Sequence, residues 1–256
     1  IAGNKDGLDI LPDGEFLPGM GLNCIESQFK SIVEKNYKNR FVVDGRCAHI
    51  TENREIFALQ GRVKCQSRDL CQRGCPFGGY FSSNSSTIPW AMKTGNLTML
   101  HNSVVHSVIY DESKEQASGV LVVDDTTKET TEYHAPIIFV NAGAVNTNLI
   151  LLNSISKRFP QGLGNDNGLL GKYFAFHNYR ARITAEFDGM LNKHTTGRKP
   201  TQAYVPRFRN VYQQETDFLR GYASGFRAYR KIDMDTSGYG KELKDELLNP
   251  RLGPWQ

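Results

Sequence analysis

The 256-residue sequence contains no long apolar run, no large excess of charge and no complete G-x-G-x-x-G fingerprint for dinucleotides. Its longest apolar stretch, 137–144, is interrupted by Asn141 and is far shorter than the ~18 residues that a membrane span needs. A net charge of +4 is small for this length and does not favour nucleic-acid binding. We therefore expect a soluble globular protein with neither a membrane span nor a nucleic-acid partner.

The five cysteines are an odd number, so they cannot all pair within the chain. Cys65, Cys71 and Cys75 follow a C-x5-C-x3-C spacing, which lacks the C-x2-C pair and the nearby histidine that are typical of zinc sites. The spacing favours ordinary thiols, or one disulfide in an oxidising compartment, over a metal-binding module. We expect no metal site.

The hydrophobic pattern changes along the chain and indicates an α/β (α+β) fold in two parts. Helical spacing predicts helices at 26–37, 86–93 and 144–155 and a last short helix at 241–248. Alternating patterns predict strands at 97–110, 119–123, 131–140, 181–187, 203–210 and 222–231. We expect a mixed α/β part at 1–177 and an antiparallel sheet at 178–256.

The stretch IIFVNAGAVNTNLILLN, at 137–153, has the outline of a nucleotide-binding turn. An apolar strand is followed by a corner of small residues and then by an amphipathic helix. Gly143 gives the backbone the freedom to come close to a ligand, although a tight turn by itself also favours glycine. A second glycine-rich stretch, 162–168, reads G-x-G-x3-G and follows a proline, so it does not match the fingerprint.

Four segments together resemble the glucose-methanol-choline (GMC) family of FAD-dependent oxidoreductases, especially its bacterial sugar- and gluconate-dehydrogenase-like branch. The segments are CQRGCPFGGYFSSNSSTIPWAMKTGNLTML, VVHSVIYD with GVLVVD, IIFVNAGAVNTNLILLNS, and GNDNGLLGKYFAFH. The resemblance implies an incomplete Rossmann-like FAD-binding domain at 1–177 and part of a substrate-binding domain with an antiparallel sheet at 178–256. The bacterial branch leaves both the cytoplasm and the periplasm open as the location.

The resemblance also implies cofactor-binding residues. Val105 matches the strand whose backbone meets the adenine, and the corner at 141–144 matches a turn beside the adenosine and diphosphate half of FAD. The loop at 78–86 matches one near the flavin, although it also has the composition of a helix cap. The candidate cofactor-binding residues are Gly78, Gly79, Val105, Ala142, Gly143 and Asn146. His177 ends the last matching segment, where a structural role is as plausible as a polar one.

In this family, the G-x-G-x-x-G fingerprint and the catalytic histidine lie in two other segments, and no stretch of this sequence matches either of them. We therefore expect an internal fragment that contains no catalytic residue, binds FAD weakly or not at all, and is inactive alone. The missing N- and C-terminal parts would be its partners. Without these parts, we expect an exposed apolar surface near 137–140 or on the following helix. A second copy of the chain is one possible partner that would cover this surface.

The resemblance implies oxidation of a sugar, a polyol or another alcohol by hydride transfer to flavin. The rival hypothesis is a domain of the same descent that binds a carbohydrate or a protein partner without flavin. Arginines on the predicted strands suit either an anionic or polyhydroxylated substrate or a solvated sheet face; they are Arg180, Arg182, Arg207, Arg209, Arg227 and Arg230.

Overall fold

A computed structural model describes residues 1–68, 71, 74–176, 181–193, 201–249 and 251–256. These residues form two compact units: unit 1 consists of Ile1–Leu97 and Arg182–Gln256, and unit 2 of Thr98–Ala181. His177 and Arg180 lie outside the described residues. Across the described ranges, no helix has the length and apolar character of a membrane span.

Unit 1 combines helices with two small sheets. Its elements are α1 (Cys24–Asn36), β1 (Val43–Asp44), α2 (Glu55–Leu59), α3 (Thr87–Lys93), β5 (Ala203–Val205), β6 (Ser224–Phe226), β7 (Arg230–Asp233), α5 (Gly240–Leu248) and β8 (Arg251–Trp255). Strands β1, β5 and β6 form one antiparallel sheet, and β7 pairs with β8 in the other.

A capping box fixes the start of α1 in unit 1. The Asn23 side chain accepts the Glu26 N–H at 2.9 Å, and the Glu26 carboxylate accepts the Asn23 N–H at 2.9 Å. The helix packs its apolar face on the first sheet, where Val33 lies in a core cluster with Val42 and other buried residues. Because one face of α1 is buried, its apolar residues recur at helical spacing, and this spacing alone predicted the helix.

Unit 2 is a three-stranded antiparallel meander with one helix. The strands β2 (Ser103–Asp111), β3 (Gln116–Asp124) and β4 (Thr130–His134) lie in sequence order, and α4 (Gly143–Asn153) packs against β2. Ser154 ties the helix to the sheet: its hydroxyl accepts the Val108 N–H at 2.8 Å and donates to the Ile150 carbonyl at 2.6 Å. The α/β class expected from the sequence is confirmed.

Replacing Ser154 with alanine should lower the free energy of unfolding of the chain by about 1–3 kcal/mol, because the buried Val108 N–H loses its acceptor. Urea unfolding followed by circular dichroism measures the change. Ser103→Ala is the matched control, because Ser103 is exposed on β2 and donates only to the His101 carbonyl. Equal losses in the two variants would contradict the bridging role of Ser154.

Several strand predictions are wrong in extent. Residues 135–142 contain no strand, since β4 ends at His134 and no described strand pairs beyond it. Residues 181–186 contain none either, and only Phe187 forms a bridge, to Trp255. The predicted strand at 203–210 shortens to the three residues of β5, and the one at 222–231 divides into the three residues of β6 and the start of the four-residue β7. β8 was missed because Gly253 and Pro254 obscure its pattern.

The expected apolar surface is present. Ile137 is 69% exposed and Phe139 is 82% exposed, and Val145 and Leu149 on α4 are also exposed. The segment was predicted to be a buried strand because its residues are apolar, but a buried strand needs a paired neighbour, and none of the described strands pairs with it. The division of the chain into an FAD-binding domain at 1–177 and part of a substrate-binding domain at 178–256 stays a prediction.

Candidate functional site

Unit 2 contains an open groove with a volume of about 920 Å³. Its walls come from β2, from the β3–β4 hairpin, from the segment 135–142 and from α4. The lining residues that the sequence analysis singled out are Val105, Ala142 and Asn146. Twelve of the 21 lining residues are apolar and nine carry a polar or charged group, so the groove could offer an organic ligand both apolar surface and hydrogen bonds.

A β-bulge shapes the groove at Val105. The pairing of β2 with β3 passes from Val105 opposite Val122 directly to Ser107 opposite Leu121, so His106 is the extra residue. A bulge leaves the backbone of the extra residue outside the ladder of hydrogen bonds. Because β2 is also an edge strand of its sheet among the described residues, the backbone of His106 is left without a partner in the ladder at a position that lines the groove.

Two residues of the small-residue corner, Asn141 and Ala142, also line the groove, whereas the predicted site residue Gly143 is not among the lining residues. Ala142 is the N-cap of α4, and its side chain makes no capping hydrogen bond to the first turn. Gly143 has φ = 80°, a conformation that other residues rarely adopt, and a Cβ there would meet no atom within 4 Å. The backbone N–H groups in the first turn of α4 therefore receive no hydrogen bond from a capping side chain. Uncapped N–H groups at the start of a helix favour acceptor or anionic atoms of a ligand.

Gly78 and Gly79 lie in unit 1 and are not part of this groove. Both are buried. A Cβ on Gly78 would lie 2.8 Å from Cγ of Arg62, and one on Gly79 would lie 3.0 Å from Cα of Cys65. Close packing within unit 1 therefore already requires glycine at both positions. Their contact with a cofactor stays a prediction.

The cysteine cluster surrounds a small pocket of about 20 Å³ in unit 1. All five cysteines are free thiols, and Sγ of Cys71 lies 3.6 Å from Nε2 of His49. Burial lowers the pKa of His49. Over the ranges that the structure describes, no group of three or more His, Cys, Asp and Glu side chains is arranged to hold a metal ion.

Two thiols near this pocket have opposite pKa shifts. Burial acts to raise the pKa of Cys75, but hydrogen bonds from the N–H groups of Tyr80, Phe77 and Gly79 outweigh it, so the pKa lies below its ordinary value. Burial, assisted by the charge of Asp44, raises the pKa of Cys47 to about 11. Because the thiolate is the reactive form, the two thiols should differ in nucleophilicity.

Iodoacetamide at neutral pH should therefore modify Cys75 well before Cys47. Peptide mass spectrometry of samples quenched over time measures the two rates in the native chain. The same experiment in urea is the control, since unfolding removes both environments and should make the rates similar. Modification of Cys47 at the same rate as Cys75 in the native chain would contradict the assigned environments.

Sequence reasoning missed part of the groove. His106 was not singled out as a site residue; it is exposed and lines the groove, and Nδ1 of its ring lies 3.1 Å from the Ser107 hydroxyl oxygen. Tyr133 and His134 on β4 also line it. Nothing in the sequence showed that these positions of β2 and β4 border a groove.

Known proteins resemble the stretch that contains these residues. A family model described as GMC oxidoreductase matches residues 39–178. The chain is also 28% identical over 155 residues to 2-methyl-1,2-propanediol dehydrogenase from Mycolicibacterium austroafricanum, an alignment that covers 60% of this chain and 26% of that protein. The chain thus spans about a quarter of the length of this relative. Because the family model covers more than half of the residues, the chain belongs to the GMC oxidoreductase family.

Proposed function

We propose that the chain is part of an FAD-dependent oxidoreductase that oxidises the hydroxyl group of a sugar, a polyol or a small alcohol. The observation that carries the proposal is the groove of unit 2, which brings together Val105, Ala142 and Asn146. The resemblance had assigned these three residues to one cofactor although they lie as many as 41 positions apart in the sequence. GMC oxidoreductases generally bind FAD, which gives the groove a ligand of suitable size.

The residues present fit the adenosine half of FAD. An adenine ring needs apolar surface on its faces and hydrogen-bonding groups at its edge, and the groove offers both in the aliphatic wall and the bulged backbone at His106, next to Val105. The uncapped start of α4 beyond Ala142 suits the ribose or diphosphate oxygens. Asn146, one turn into the helix, supplies both a donor and an acceptor.

FAD, when bound, supplies an acceptor for the hydride that leaves the alcohol carbon. The described residues of this chain would contribute binding and orientation in the groove. We assign none of them as the base that takes the hydroxyl proton. We further propose that the 256-residue chain alone retains FAD weakly, because its sequence has no G-x-G-x-x-G turn to hold the diphosphate.

The substrate class is an alcohol in this proposal. Support comes from the family and from the name of the similar dehydrogenase, which acts on a diol. The test is purification of the gene product that contains this chain, followed by reduction of a redox dye with a panel of small alcohols, polyols and sugars. Dye reduction that depends on an alcohol and on FAD is expected. A flavin-free gene product that reduces no dye would favour a binding domain of the same descent.

A further inference from the structure

The pocket of the cysteine cluster is a part of unit 1 that the proposed function does not use. Its volume of about 20 Å³ is enough for a molecule of the size of water or hydrogen peroxide. Cys65, Cys71 and Cys75 all line it, and all three are reduced and half-buried. The pocket therefore gathers three nucleophilic sulfur atoms around a space that a small oxidant can enter.

Cys75 is the thiol of this pocket that is best prepared to react. Burial acts to raise its pKa, but hydrogen bonds to the sulfur and the charge of Arg68, which also lines the pocket, outweigh burial and lower the pKa. The Gly78 N–H donates to the Cys75 carbonyl at 3.1 Å and closes the turn that follows it. The donors to the sulfur are backbone N–H groups in and after this turn, those of Phe77, Gly79 and Tyr80.

Cys71 has a potential proton acceptor beside its sulfur, which lies 3.6 Å from Nε2 of His49. His49 is 6% exposed, and its ring packs against the ring of Tyr80 with 5.0 Å between the centroids. Burial lowers the pKa of His49, so its imidazole is neutral at neutral pH. A neutral imidazole can take the proton of the Cys71 thiol when this thiol acts as a nucleophile.

The chain turns between Cys71 and Cys75. The Gly74 N–H donates to the Cys71 carbonyl at 3.3 Å, which closes a turn immediately before Cys75. The side chains on both sides of this turn line the same pocket. Cys65 lines it too, but its sulfur accepts the Ser67 N–H at 3.4 Å, whereas Cys71 has the imidazole. Cys71 is therefore the better partner for Cys75.

We propose that Cys75 and Cys71 form a redox pair that hydrogen peroxide, or another small hydroperoxide, converts to a disulfide. In the first step, the Cys75 thiolate attacks one oxygen of hydrogen peroxide. An S–O bond forms, the O–O bond breaks, and the hydroxide that leaves takes up a proton and becomes water. The sulfur of Cys75 is thereby oxidised to a sulfenic acid, and the peroxide is reduced.

In the second step, the Cys71 thiol gives its proton to His49 and its sulfur attacks the sulfur of Cys75. An S–S bond forms and the S–O bond breaks. The hydroxide that leaves takes the proton from His49 and becomes water. Two thiols and one peroxide thus give one disulfide and two molecules of water.

The test adds an equimolar amount of hydrogen peroxide to the reduced gene product that contains this chain, blocks the remaining thiols with N-ethylmaleimide and digests the protein with trypsin. Cleavage after Lys64, Arg68 and Arg73 places the three pocket thiols on three different peptides, so mass spectrometry can assign each disulfide. A disulfide between the peptides 69–73 and 74–93 is expected. Dithiothreitol should remove it.

Two variants separate the two steps. Cys71→Ser should leave a sulfenic acid on Cys75, which dimedone traps. Cys75→Ser should slow the oxidation of Cys71 by about 10-fold or more, because the sulfur that reacts first with the peroxide is missing. Cys24→Ser is the matched control: Cys24 is a half-buried thiol of the same unit that does not line the pocket, so this variant should form the disulfide like the wild type.

Several results for the wild-type protein would overturn the redox pair. They are a Cys75 that stays reduced, a sulfenic acid on Cys75 that closes no disulfide, a disulfide between Cys75 and a cysteine other than Cys71, and a metal ion bound by the pocket thiols. None of these results depends on the flavin content of the gene product. The redox pair and the proposed function can therefore fail independently.

Discussion

Replacing Ala142 with tryptophan should reduce FAD retention by the gene product at least 10-fold. Ala142 lines the groove at the corner before α4, where its small side chain leaves space for a ligand. An indole there would occupy volume that the adenosine half needs, and a side chain in a binding cleft competes directly with the ligand. A loss of about 1.4 kcal/mol corresponds to each 10-fold change in affinity. Flavin absorbance per mole of purified protein measures retention.

Ala144→Trp is the matched control for this prediction. Ala144 is exposed two positions later in the first turn of the same helix, but it is not among the residues that line the groove. The control should retain FAD like the wild type, and both variants should unfold at similar urea concentrations. Equal flavin content in Ala142→Trp and the wild type would contradict the assignment of the groove to FAD.

Trp255→Ala should lower the free energy of unfolding by about 3–5 kcal/mol, which is the typical cost of removing a buried large aromatic ring. Trp255 is 1% exposed and forms a core cluster of unit 1 with Ile25 and Ala228. Its ring N–H donates to the Met190 carbonyl at 3.2 Å. The substitution thus creates a cavity and also removes a hydrogen bond between distant parts of the chain.

Urea unfolding of the purified chain, followed by circular dichroism, tests the effect of Trp255→Ala. The other tryptophan in the sequence, Trp90, provides the control. Trp90 is 36% exposed on α3, a helix with no buried residue, so Trp90→Ala should cost clearly less than Trp255→Ala. Equal destabilisation by the two substitutions would show that β8 does not complete the core of unit 1.

The sequence predicted helices better than strands. The apolar spacing of α1 and α4 was sufficient, because a helix forms its backbone hydrogen bonds within itself. A strand needs a partner, so an apolar segment such as 137–140 is compatible with a strand without being one here. β8 escaped prediction because Gly253 and Pro254 obscure its pattern, so only its pairing with β7 in the folded chain identifies it as a strand.

The candidate site was predictable only in part. Family resemblance pointed to Val105 and to the corner at Ala142, and the structure brings both to one groove. The bulge at His106 could not be foreseen, since it is a property of strand register and has no signature in the sequence of β2 alone. The packing of Gly78 against Arg62 was equally hidden, because it joins residues from two separate loops.

The most direct test of the central claim is photocrosslinking of the gene product with FAD that carries an azide on its adenine ring. Mass spectrometry of the peptides then identifies the labelled residues. The account predicts labelling within 103–106 or 135–146, suppressed by excess unmodified FAD. Suppressible labelling confined to other parts of the protein would contradict the assignment of the unit 2 groove to the adenosine half of FAD.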